Sequence, residues 1–306
     1  MTIQLTIGTR GSQLATTQSG VVKQQLDELH PQDLEVRIEV IRTTGDVDRQ
    51  SLSVIGGQGI FTREIEHALL DKRVDLAVHS LKDLPTEVDK RLQLVAAPPR
   101  EDVRDVLVSR EDLTLCELPE GAAVATGSCR RQAQLKHLRP DLRFIDLRGN
   151  VDTRIRKVTE GEVDAVVLAA AGLHRLGRQL DISEYLDPLS VMPAPGQACL
   201  GLQMRRDDVR HHFVRRLDCP DTAASVTAER AFLQALGGGC RAPIAAWART
   251  DDEGELRVDG VVLHPDTDEA VHDQMCSPLE NAAELGCALA ESLRRQGAAA
   301  ILEQFI

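Results

Sequence analysis

The sequence predicts an α/β protein: two similar doubly wound lobes followed by a small α+β C-terminal domain. Three observations carry this. Over the first two thirds of the chain, short apolar runs alternate with longer helical patterns, the order of sheets wrapped by helices. That order occurs twice with matching landmarks. His30-Pro31-Gln32-Asp33-Leu34 is matched by Arg139-Pro140-Asp141-Leu142, and Val74-Asp75-Leu76-Ala77-Val78 by Val163-Asp164-Ala165-Val166-Val167-Leu168. Beyond Asp218-Cys219-Pro220 the pattern changes to one helix, three strands and a closing helix.

In the first lobe, Ile3–Ile7 predicts a strand, Leu14–Leu29 a helix stopped by His30-Pro31, and Leu34–Ile41 a second strand. The Gly56-Gly57-Gln58-Gly59 loop precedes a helix over about Phe61–Asp71, and Val74–Val78 predicts the next strand. In the second lobe the strands are Ala122–Ala125, Leu142–Leu147 and Val163–Leu168, with helices over about Arg130–Leu138 and Asp152–Glu160. Met192-Pro193-Ala194-Pro195-Gly196-Gln197 predicts a crossover loop, after which Cys199–Met204 returns to the first lobe. Thr222–Leu236 predicts a helix with Glu229 and Arg230 on its surface. Ile244–Ala248, Leu256–Leu263 and Ala270–Gln274 predict strands, and about Asn281–Leu302 a last helix. The expected domains are residues 1–98 with 199–216, 103–192 and 220–306, the first two joined near Pro98-Pro99-Arg100 with a cleft between them.

The 306 residues carry a net charge of -12, which argues against general nucleic-acid binding, because that needs a basic face. Yet Arg130, Arg131, Arg148, Arg154, Arg156 and Arg175 crowd the middle third and suggest a site for a specific small anion. Met1–Leu5 has no basic segment before an apolar core, so no secretory leader is expected. The longest apolar run, Ala165–Leu173, is too short to span a bilayer. Seven cysteines with no Cys-x-x-Cys pair fit neither a disulfide framework nor a zinc site. A reduced, cytoplasmic protein is expected, with no metal, no nucleic acid and no membrane.

Candidate functional residues fall in three places. The strand at Val74 ends in His79, Ser80, Lys82 and Asp83 before Pro85, and ligands of open α/β sheets bind at the carboxyl ends of strands. A turn of solvated charges is the plainer reading. Each lobe also places a Thr, a Ser and a helix start after its first strand, Thr9 with Ser12 and Thr126 with Ser128. A lone Ser or Thr there is ordinarily an N-cap, but the neighbouring Arg10, Arg130 and Arg131 point to an anion at the helix start. Lastly, Gly237-Gly238-Gly239 exposes Cys240, which favours a reactive or modified thiol. Cys116, Cys219, Cys276 and Cys287 read instead as small buried hydrophobes.

Nearly the whole chain resembles the porphobilinogen deaminase (hydroxymethylbilane synthase) family. The resemblance rests on Gly8-Thr9-Arg10-Gly11-Ser12-Gln13-Leu14-Ala15, Thr44-Gly45-Asp46, Ala77–Pro85, Arg130-Arg131-Gln132, Leu147-Arg148-Gly149-Asn150-Val151, Ala171-Gly172-Leu173 with Arg175-Leu176-Gly177, Ala228-Glu229-Arg230-Ala231 and Gly238-Gly239-Cys240. It implies two lobes resembling type II periplasmic binding proteins. It also implies a dipyrromethane cofactor joined by a thioether to Cys240, in the last domain. The family condenses four porphobilinogen molecules head to tail on that primer, releasing ammonia each time, and frees the linear tetrapyrrole with water.

The resemblance implies that Asp83 is the catalytic carboxylate. It places Lys82, Asp83, Ser128, Arg130 and Arg131 on the cofactor, and Arg10, Ser12, Thr126, Arg148, Arg154, Arg175 and Gln197 on the substrate. Arginine forks suit the acetate and propionate of each pyrrole. Arg156 has no counterpart and reads as a solvated helix face. A monomer is implied, passing its product to a downstream tetrapyrrole enzyme. The chain departs from the family at Gln58, where Lys is common, and at Gly127, Cys129, Asp152, Ala198-Cys199 and Arg241. Two other readings stay open: a small-anion binding protein, or an inactive relative with the same two-lobe fold.

Overall fold

A computed structural model describes residues 2–41, 62–238, 242–267, 269–303 and 305. Cys240, Arg241, Thr44-Gly45-Asp46 and the loop holding Gln58 lie outside the described residues. The chain forms two compact units, Met1–Arg100 with Cys199–Ala223, and Glu101–Ala198 with Ala224–Ile306.

The strands are β1 (Ile3–Arg10), β2 (Leu34–Ile41), β3 (Leu76–Ser80), β4 (Leu92–Ala96), β5 (Asp105–Ser109), β6 (Ala123–Ala125), β7 (Arg143–Ile145), β8 (Ala165–Ala169), β9 (Glu184–Tyr185), β10 (Leu200–Arg205), β11 (Ile244–Thr250), β12 (Leu256–Leu263) and β13 (Ala270–Ser277). The helices are α1 (Gln13–Leu29), α2 (Arg63–Leu70), α3 (Cys129–Leu138), α4 (Val151–Thr159), α5 (Ala170–Arg175), α6 (His211–Val214), α7 (Pro220–Leu236), α8 (Ala282–Leu293) and α9 (Ala299–Leu302).

In the first unit the sheet runs β2-β1-β3-β10-β4. β1 is parallel to β2 and β3, whereas β10 is antiparallel to both its neighbours. The first sheet of the second unit runs β7-β6-β8-β5-β9, and here β5 is the antiparallel strand between β8 and β9. The two sheets share one plan. In each, the antiparallel strand is the first one laid down after the chain has crossed from the other unit. Central strands with helices on both faces are buried along their length, and Leu76, Ala77, Val106, Leu107, Val166 and Val167 are fully buried accordingly.

The helix starts follow from short polar caps. Ser12 accepts from the Ala15 N–H at 3.3 Å, Ser128 from Arg131 at 3.4 Å and Asn150 from Thr153 at 2.9 Å. Val22 and Leu26, one turn apart, bury the inner face of α1. In the second unit β11-β12-β13 forms an antiparallel sheet whose core holds Phe232, Val258, Leu289 and Leu293. α8 comes so close to α7 that a Cβ on Gly286 would lie 2.2 Å from the Ala228 carbonyl oxygen, so only glycine fits there. This sheet also packs through Ala245, Val261 and Leu263 on Ala133 and Met192 of the preceding sheet-and-helix layer.

Several elements differ from expectation. β3 starts later and runs through His79 and Ser80. Asp75 instead spends its carboxylate on the Thr6 N–H at 3.0 Å, and its own N–H on the Thr6 carbonyl, holding the chain outside the strand pairing until Leu76. β4 and β5 were not expected, although each is a short apolar run. The closing helix breaks at Gly297, whose φ of 110° no helix tolerates. Glu229 is fully buried, not on the surface of α7. Cys116, Cys276 and Cys287 are exposed and Cys219 is partly exposed, so none is the buried hydrophobe expected; Cys199 is the buried thiol among the described residues.

Candidate active site

On the first unit, the carboxyl end of β3 turns through a tight helical turn, Leu81–Asp83, that leaves Asp83 exposed and Lys82 half-buried. The Leu81 N–H donates to Cys199 O at 3.0 Å, and the Leu84 N–H to Leu81 O at 3.2 Å. Side chains pin the strand on both faces. Ser80 Oγ meets the two ends of the Gln18 amide at 3.0 and 3.2 Å. On the other face, His79 Nε2 lies 2.9 Å from Gln203 Oε1, and Gln203 Nε2 donates to Glu66 Oε1 at 2.9 Å. Burial raises the Glu66 carboxyl above its ordinary range, against the pull of the Gln203 hydrogen bond. Arg10 closes β1, next to Thr9, whose hydroxyl donates to Ala15 O at 3.0 Å. The Ser12 hydroxyl is the α1 cap already described.

On the second unit, one carboxylate organises the arginines. Asp105, at the start of β5 and fully buried, accepts from Arg130 Nη2 at 2.8 Å, Arg131 Nη2 at 2.7 Å and Gln197 Nε2 at 2.8 Å. Arg130 also donates to Met192 O, Arg131 to Val167 O at 2.9 Å, and Gln197 to Val103 O at 2.8 Å. Burial pulls the Arg130 guanidinium below its ordinary range, opposed by Asp105. Two buried guanidinium groups against one carboxylate leave a surplus positive charge. Moreover, Arg131 Nε is buried with no hydrogen-bond partner among the described residues. A buried donor without a partner is costly, and a carboxylate would satisfy it. The residues present therefore fit a carboxylate-bearing cofactor.

Elsewhere in the same unit, Thr126 is fully buried and its hydroxyl accepts from the Ser128 N–H at 3.2 Å. Arg148 is exposed, 3.4 Å from Asp146, while Arg154 donates to Gly149 O at 2.9 Å and Arg175 to Ala198 O at 2.6 Å. Arg156 pairs with Glu160 at 3.6 Å on an exposed helix face, as its lack of a counterpart led us to expect. Ala198 takes φ 70°, a left-handed conformation that residues other than glycine rarely adopt. Sequence reasoning missed Asp105, Gln203 and Glu66. The one available signal was an acidic residue opening the apolar run Asp105-Val106-Leu107-Val108.

Two sheets of one plan define a two-lobed α/β protein, with a buried surplus of arginine charge in one unit and an exposed carboxylate at a strand end in the other. Comparison with known proteins makes this specific. The family model for porphobilinogen deaminase, dipyromethane cofactor binding domain, matches residues 5–212, and that for the porphobilinogen deaminase C-terminal domain matches 223–295. Porphobilinogen deaminase of Syntrophobacter fumaroxidans is 45% identical over 300 residues, 97% of this chain and 96% of the relative. That of Thermus thermophilus is 45% identical over 299 residues, 97% and 98%. A solved periplasmic substrate-binding protein of an ABC transporter from Coxiella burnetii is similar at a TM-score of 0.45 and 18% identity, covering 70% of this chain and 89% of that one. The chain belongs to the porphobilinogen deaminase family. It is an enzyme of porphyrin biosynthesis, a hydroxymethylbilane synthase working on a dipyrromethane cofactor. No helix among the described residues is long and apolar enough to cross a membrane.

Proposed function

We propose that Asp83 is the catalytic carboxylate of this synthase and that Cys240 holds the dipyrromethane through a thioether. The bound cofactor supplies the free ring carbon on which the chain of pyrroles grows. Lys82, Ser128, Arg130 and Arg131 serve the cofactor's carboxylates. Arg10, Ser12, Thr126, Arg148, Arg154, Arg175 and Gln197 serve those of the substrate. The observation that carries this reading is the Asp105 cluster, where two buried guanidinium groups face one carboxylate and Arg131 Nε has no hydrogen-bond partner among the described residues. Gln197 and Arg130 also donate to Asp105, which holds the Arg131 fork from its other side.

In the reaction, the C–N bond of the porphobilinogen aminomethyl group breaks and ammonia leaves, so that a cationic azafulvene forms. Asp83 stabilises that cation; a carboxylate at contact distance contributes about 4 kcal/mol at an effective dielectric near 20. Asp83 is suited to give a proton to the departing amine and to take up the proton released when the new carbon–carbon bond forms. Exposure of the Asp83 side chain supports access to substrate. Four rounds and one hydrolysis give the linear tetrapyrrole. The enzyme works as a cytoplasmic monomer and passes this product to a downstream tetrapyrrole enzyme. The test is to supply porphobilinogen to the purified protein and follow ammonia and tetrapyrrole together. Ammonia without tetrapyrrole, or neither, would refute the reading.

A further inference from the structure

The strand that presents Asp83 carries a buried polar relay on its other face, which the reaction as described does not use. His79, Gln203 and Glu66 come from three separate elements, β3, β10 and α2. His79 and Gln203 are almost wholly buried, at 5% and 0% exposure, and Glu66 is half-buried. Burying three polar side chains in an apolar layer of Ile65, Leu69, Ala77 and Leu92 costs stability unless every group is paired. Such a network specifies one geometry in return.

Here the geometry has a direction. When ionised, the Glu66 carboxylate only accepts, so the Gln203 amide turns its NH2 toward it and its carbonyl toward His79. In that orientation His79 carries a hydrogen on Nε2. The amide cannot pass a proton along, so Glu66 orients His79 without forming an ion pair with it. His79 lies four residues before Asp83, and the only residues between them are Ser80, tied to Gln18, and Leu81 and Lys82 of the tight turn. Any roll of β3 about its axis would break the His79 bond and swing the turn.

We infer that His79, Gln203 and Glu66 are positioning residues for Asp83: the relay locks the roll of β3 and so fixes where the catalytic carboxylate points. This rests on the assignment of Asp83 above. A displacement of about 1 Å in a catalytic group costs roughly a hundredfold in rate. Releasing the lock is therefore expected to lower kcat by about tenfold to a hundredfold while KM changes little.

The experiment compares Gln203→Met, Glu66→Met and Glu66→Gln with the wild type, all as holoenzymes checked by intact mass. Gln203→Met keeps the volume and removes both hydrogen bonds. Glu66→Met keeps Gln203 but removes the acceptor at a half-buried site, where folding is tolerant. Glu66→Gln restores an acceptor. The expected result is a loss of kcat in both methionine variants, recovery of most of it in Glu66→Gln, and KM for porphobilinogen within a factor of about three throughout. Nitrogen-15 NMR of the imidazole is expected to find His79 protonated on Nε2 in the wild type, and that signature altered in Gln203→Met. A neutral His79 carrying its hydrogen on Nδ1 alone, or a folded Glu66→Met variant with wild-type kcat, would overturn the inference. An Asp83→Ala variant that turns over porphobilinogen as well as the wild type would instead overturn the assignment of Asp83, which separates the two failures.

Discussion

Asp105 Oδ1 and Arg131 Nη2 meet at 2.7 Å, with both side chains almost wholly withdrawn from water. Breaking a buried ion pair from one side strands the partner charge, at a cost of about 3–5 kcal/mol. Here Asp105 also serves Arg130 and Gln197. Asp105→Ala is therefore expected to lower unfolding free energy by at least about 3 kcal/mol in urea titrations. An unchanged midpoint would mean that the cluster does not hold the lobe together.

Asp83 stands at the opposite extreme. It is exposed, so Asp83→Ala is expected to change stability by no more than about 0.5 kcal/mol. Turnover of porphobilinogen, followed as tetrapyrrole formed, is expected to be abolished. Substantial remaining activity would remove Asp83 from the chemistry.

Glu229 ties the crossover loop to the C-terminal sheet, accepting from the Gly196 N–H at 2.6 Å and the Ala248 N–H at 2.7 Å. Each charge-assisted bond contributes about 1.5–3 kcal/mol. Glu229→Leu is expected to destabilise by about 3 kcal/mol or more in chemical denaturation. Glu229→Gln, which keeps a single acceptor oxygen, is expected to fall between that variant and the wild type. Equal stability of all three would show that the two backbone groups find other partners.

Glu66 gives the protein a pH dependence of definite sign. Its folded-state pKa is raised by burial, so its contribution is fully present below the unfolded value of about 4.3 and is lost as pH rises through the folded value. Glu66→Gln carries no such titration. The two proteins are expected to have similar relative stability in acid, with the variant gaining on the wild type as pH climbs toward neutrality. Urea midpoints across that range check this; a constant difference would contradict it.

Repetition made the fold legible. The Pro140 and Pro31 landmarks and the doubled Val-Asp-apolar strands gave two lobes of one plan, because a doubly wound unit needs its breaks and its buried strands at fixed places. What stayed hidden was decided by partners distant in sequence. Asp75 looks like a strand residue until Thr6 claims its carboxylate. Glu229 looks like a surface charge on a helix until Gly196 and Ala248 bring their N–H groups to it. Asp105 sits 25 and 26 residues from the arginines it holds, and no local pattern marks it. The site residues themselves were named by motif, and the cap at Ser128 was one of the readings its position offered, whereas the strut made by Gln197 on Asp105 came only from geometry.

The central claim is that this chain is a synthase built on a covalent primer at Cys240. Intact mass of the purified protein, with the modified peptide then mapped, tests it most directly. The expected result is an excess equal to two linked pyrrole units on the peptide bearing Cys240. An unmodified chain that acquires no adduct when given porphobilinogen would contradict the account.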